Sequence, residues 1–154
     1  MPKNINKIKW CCKQSKGISF IDPNDNLSEE YIKEADSSLE SMLSTKGKWK
    51  TIIAYYSCYN AIYSILMKTG IKCEIHDCSI SLMAYFDEFT EEDIEFINSL
   101  KKDRIDNQYY LKNIEFEEND KVKAFILKCK NILKNNNLVS ISKSVKDDIK
   151  TTKK

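Results

Sequence analysis

The chain has 154 residues, a net charge of +2, only three Gly and two Pro, and apolar residues at helical rather than alternating spacing. One all-α domain with a core of its own is the expectation, and a strongly basic nucleic-acid-coating protein or an acidic disordered one is excluded. The charge is uneven: residues 1–16 carry +5 and residues 138–154 carry +3, so the stretch between them carries −6.

The opening residues 1–26 read as an irregular arm. Gly17 and Pro23 bracket Ile18, Phe20 and Ile21, an extended scrap able to lie on the core, with Trp10 as its packing anchor. Asn26 followed by Glu29 marks a first helix start. Leu27, Tyr31, Ala35, Leu39 and Met42 then form an apolar stripe that ends near Lys46-Gly47. After that short turn comes the stretch on which the fold depends, a helix over 48–69 that is apolar on nearly every side, with no charge between Ile52 and Met67. Such a helix belongs at the centre of a fold. It is short for a bilayer and carries Tyr, Ser and Asn, so a buried core helix is expected rather than a membrane span. Gly70 provides its left-handed stop.

Ile75, Cys78, Leu82 and Phe86 trace a third helical stripe, and Thr90 with Asp93 forms a capping box for a fourth helix through Ile94, Ile97 and Leu100. DRIDNQYYL either continues that helix or starts another. Asp120 opens a last helix with the stripe Val122, Phe125, Ile126, Cys129, Ile132 and Leu133, and the Asn run 135–137 ends it. The bundle domain is thus 27–137, and 138–154 reads as a basic, disordered tail.

Six Cys in a chain of this length, with no apolar leader after Met1, suggest reduced thiols in a cytoplasmic protein, with Cys58 and Cys129 as small core residues. Cys73, His76 and Cys78 stand as C-x2-H-x-C, but a second ligand pair of zinc spacing is lacking, so no metal and no cofactor are expected. Tyr55, Tyr56, Tyr59 and Tyr63 read as core packing before base stacking. Asn60, a lone amide on a buried helix, must be hydrogen-bonded or face a cleft. Two polar clusters remain: Glu74, His76 and Asp77 before the third helix, and Arg104, Asp106 and Gln108 after the fourth. His76 is the only His and Arg104 the only Arg.

The combination AYYSCYNAIYSILMKTGIKCEIHDC (54–78) followed by RIDNQYY (104–110) resembles the HEPN family of small all-α prokaryotic domains, over Leu27 to Leu133. The resemblance implies an up-and-down bundle of about five helices, commonly a homodimer. It also implies interaction with RNA or nucleotides: as a metal-independent endoribonuclease toxin paired with a nucleotidyltransferase-type antitoxin, or as an inactive relative of one. Active members carry an Arg followed four to six residues later by a His. Here Arg104 fits the Arg, but Tyr109 stands in the His position and no His follows. His76 and Arg104 are therefore the candidate catalytic pair across two helices, with Asn60, Asp77, Asp106, Tyr109 and Tyr110 as candidate RNA- or nucleotide-binding residues. A non-catalytic helical module that binds a protein partner is the competing class.

Overall fold

The central helix, α3 (Lys48–Thr69), is buried along almost its whole length, as its uniform apolarity requires. The computed structural model describes residues 2–114 and 116–150. Gly70 closes α3 at φ 93°, and its N–H returns to the carbonyls of Leu66 and Met67. A Cβ at Gly70 would also lie 2.7 Å from the Ile21 carbonyl oxygen, so both conformation and space call for glycine. Antiparallel to α3 runs α2 (Asp25–Leu43), fastened by hydroxyls. Ser57 Oγ donates to the Ala35 carbonyl at 2.7 Å and Ser64 Oγ to that of Ser28 at 2.6 Å. The α2 cap is Asn24, whose Oδ1 accepts from the Leu27 N–H, two residues earlier than Asn26. The chain after Pro23 turns into the helix at once, and Asn24 is the residue that still has extended backbone there.

Beyond Gly70 follow α4 (His76–Ser81), a 3-10 turn (Leu82–Tyr85), α5 (Glu91–Tyr109) and α6 (Asn119–Leu133). The capping box at Thr90 and Asp93 is present in both directions. The RIDNQY stretch continues α5 without a break. The loop after it is held by Asn107, fully buried, whose amide both donates to the Ile114 carbonyl and accepts its N–H; Thr51 Oγ1 donates to the same carbonyl. That pairing brings the start of α3 and the end of α5 together.

Both ends of the chain differ from expectation. The arm is not irregular: α1 (Ile5–Lys13) is capped by Asn4 and buries Ile8 and Cys11. Trp10 is 48% exposed, with the Lys7 ammonium over its ring, and is not a core anchor. A nine-residue helix has little stability alone, so its existence depends on the surface it docks against. Next, β1 (Ser19–Phe20) pairs antiparallel with β2 (Ile71–Lys72). The thiols are not all reduced: Cys11 and Cys78 form a disulfide joining α1 to α4. Cys58 and Cys129 are free and buried, as core residues should be. The tail is helical too, as α7 (Leu138–Lys150). Leu138, Ile141, Val145 and Ile149 supply a three-four-four apolar stripe thin enough to miss amid Ser and Lys, yet all pack on the core. Residues 151–154, the rest of that tail, lie outside the described residues. The result is an all-α protein with seven helices among the described residues and one core reaching from Ile8 to Val145. None of these helices is long and apolar enough to cross a membrane.

Candidate functional site

Tyr55, Tyr59 and Tyr63 recur every four residues and therefore share one face of α3. Their rings lie nearly parallel, with centroids 5.9 and 6.1 Å apart. The β1–β2 pairing and a 2.9 Å bond from the Glu74 N–H to the Lys16 carbonyl fix the turn that follows α3. That turn delivers His76, the first residue of α4, onto the Tyr stack. Its ring lies 4.0 Å above the Tyr59 ring, and its Nδ1 shares a 2.6 Å hydrogen bond with the Tyr55 hydroxyl.

The hydrogen bond sets the state of the imidazole. Burial pushes the Tyr55 phenol well above its ordinary value, so it keeps its proton. Its O–H has no other acceptor among the described residues, so the tautomer that leaves it paired is the one in which it donates to Nδ1. The His76 proton is then on Nε2, which acts as a donor. Burial, chiefly, and then the positive charges of Arg104 and Lys101 hold the imidazole below its usual pKa, against an opposing pull from Asp77. His76 is a neutral ring at pH 7.

Arg104 projects from α5 onto Tyr55 and its neighbour Tyr56. Its guanidinium lies 4.9 Å from the Tyr55 ring centre and 5.3 Å from that of Tyr56, and one terminal N–H donates to the Tyr56 hydroxyl at 2.8 Å. It is only 9% exposed, its Nε is buried without a partner, and among the described residues no carboxylate pairs with it. A buried cation left to aromatic faces and one hydroxyl is compensated weakly. Tyr55 is thus the residue through which the only His and the only Arg meet.

The remaining candidates separate. Asn60 shares with His76 a cleft of about 250 Å3, walled by Tyr31, Tyr59 and Tyr63 and edged by Glu74. Arg104 does not line it. Asp77 forms a hydrogen-bonded ion pair with Lys101 and faces a different hollow, beside Lys7 and Asn98. Asp106 is neutralised by Lys102 at 2.9 Å, which holds its carboxyl below the usual range, with Lys112 at 4.0 Å. Tyr109 and Tyr110 are 65% and 69% exposed at the end of α5, away from the cleft lining. Glu74, which the sequence groups with His76 and Asp77, stays with His76 at the cleft, whereas the sequence marks Tyr55 and Tyr56 only as core packing. The four-residue Tyr spacing was visible, but it is equally the signature of core packing. The chain matches no family model, no curated protein and no solved structure. What the site does therefore rests on its own geometry. Among the described residues no group of three or more His, Cys, Asp and Glu side chains is placed to hold a metal ion. Of the C-x2-H-x-C run, Cys78 is taken by the disulfide and Cys73 Sγ donates to the Ile75 carbonyl.

Proposed function

We propose that this is a HEPN-type, RNA- or nucleotide-interacting protein that binds in the His76 cleft and is an inactive relative of the ribonuclease toxins. The observation that carries this reading is the Tyr55–His76 hydrogen bond. A base for a ribose 2′-OH needs a free Nε2, whereas the Tyr55 O–H on Nδ1 favours the tautomer with Nε2 protonated. A neutral Nε2–H is a donor for a phosphate or ribose oxygen instead. The uncompensated guanidinium of Arg104 behind Tyr55 adds the positive potential that a polyanion prefers. An up-and-down bundle core, a homodimer, a cytoplasmic setting and a nucleotidyltransferase-type antitoxin partner belong to the same reading through the family resemblance.

The alternative of a protein-interaction module is favoured by the exposed Trp49, Tyr109, Tyr110 and Leu111. One experiment separates these. Purified protein is mixed with single-stranded RNA in EDTA, beside Arg104→Lys and His76→Ala. The expected outcome is binding without cleavage, weakened several-fold in His76→Ala, which lacks the Nε2–H, and little changed in Arg104→Lys, which keeps the positive charge beside Tyr55. EDTA-resistant cleavage by the wild type, absent in His76→Ala, would make it an active ribonuclease. No binding at low salt would leave the interaction module.

A further inference from the structure

Two polar side chains at the His76 cleft are open to a ligand. Asn60 and Glu74 make no side-chain hydrogen bond or ion pair among the described residues, yet both line a cleft with aromatic walls. Asn60 is half-buried on a helix whose other polar groups are mostly engaged, as the Ser57, Ser64 and Tyr59 bonds illustrate. Its amide opens into the cleft, where it is available to a molecule that enters from outside. At about 250 Å3 the cleft lies below the ~300–1,000 Å3 of sites for drug-sized ligands and suits a single planar ring system. The Tyr31, Tyr63 and His76 rings supply the apolar and stacking surface that such a ring system needs.

We propose that this cleft is a guanine-specific nucleobase subsite in which Glu74 accepts from the base's N1–H and 2-amino group and Asn60 donates to its O6. The proposal rests on the nucleotide-binding reading above and specifies which base the site takes. A free carboxylate excludes phosphate from its own end of the cleft, so the base and not the phosphate sits there. An ionised carboxylate only accepts hydrogen bonds, and it does so through two oxygens side by side. Guanine alone among the common bases offers two adjacent N–H donors on its Watson–Crick edge. Adenine and cytosine each set a ring-nitrogen lone pair against the second oxygen, and uracil flanks its one N–H with carbonyls. A site built around such a pair rejects the analogues that leave it unpaired. With the base so placed, the Nε2–H of His76 is left for a ribose or phosphate oxygen of the same nucleotide.

The test uses the whole protein and the 5′-monophosphates of guanosine, adenosine and inosine, the last lacking only the 2-amino group. His76 is the sole His, so its Cε1–H gives one NMR signal of its kind from inside the cleft. Calorimetry supplies affinities. Guanosine monophosphate should bind at least about tenfold tighter than the adenosine nucleotide, with inosine between, since hydrogen bonds to a charged group differ by that much. Glu74→Gln, at an exposed position, should keep its melting temperature and lose most of the guanosine preference, and Asn60→Ala should lose a smaller part. Equal affinity for all three nucleotides, a Glu74→Gln variant with unchanged preference, or no shift of the His76 signal at millimolar nucleotide would each overturn the subsite. RNA binding that persists beside any of these would leave the broader function standing. Selective guanosine binding with no RNA binding would keep the subsite and narrow the broader function to nucleotides.

Discussion

His76 is a reporter of its own surroundings because three charged residues act on it in opposite directions: Arg104 and Lys101 against Asp77. Its titration midpoint should fall below the ordinary ~6.5, measured from the pH dependence of the single ring signal. Arg104→Gln should raise the midpoint, and Asp77→Asn should lower it further. A midpoint that ignores both substitutions would leave burial as the whole cause. The sign for stability follows from linkage. The folded state prefers the neutral ring, so the unfolded chain binds more protons as pH falls through ~6.5, and the folded state loses stability there. Above that pH the contribution is flat. Asn107 illustrates the other use of a buried polar group. Its amide satisfies both backbone groups of Ile114, and its role is to hold the loop after α5 rather than to meet a ligand.

At the scale of elements, the short pieces position the site and the long ones support it. Neither α1 nor α4 is long enough to be stable alone, and the Cys11–Cys78 bond joins them across 67 residues of chain. A cross-link closing a loop of that length is worth about 2–5 kcal/mol. Cys11→Ser with Cys78→Ser, or treatment with a dithiol reductant, should lower stability by that order in denaturant unfolding. The five Lys of residues 1–16 should then become the first sites cut by a Lys-directed protease. Protection of the N-terminal segment unchanged by reduction would show that Ile8 and the β1–β2 pairing hold it without the bond. The α7 helix makes its own contribution beside α1, where Asp148 accepts a 2.7 Å hydrogen bond from the Tyr85 hydroxyl and lies 3.9 Å from the Lys3 ammonium.

For the whole molecule, the open question is the partner of the apolar surface left on the outside. Trp49 at the start of α3 and Tyr109, Tyr110 and Leu111 at the end of α5 are all more than half exposed. The ends of those two helices are brought together by Thr51, Asn107 and Ile114. A homodimer that covers this end is the expected solution state, and it should bury on the order of 1,200 Å2 or more. Light scattering should then return about twice the 18.0 kDa of one chain. Trp49→Lys with Tyr110→Lys should return the monomer with its fold intact. A wild-type monomer at high micromolar concentration would assign that surface to another protein.

The sequence by itself determined the centre of the molecule, because an uninterrupted apolar helix stopped by glycine has only one place to go. It also determined α2, the capped start of α5 and the stripe of α6, where local spacing and burial agree. It did not determine the two ends. In α1 and α7 the apolar residues are few, and what makes them helical is the surface they meet. The pairing of Cys11 with Cys78 was likewise a matter of which elements pack together. His76 and Arg104 stood out as the only residues of their kinds, and Asn60 as an amide that needed a partner or a cleft. Their relation was not legible, since it runs through Tyr55, a residue indistinguishable in sequence from its neighbours in the core. The tertiary structure decided that Tyr55 meets both the imidazole, through its hydroxyl, and the guanidinium, over its ring, because proximity across helices leaves no trace in the spacing along any one of them.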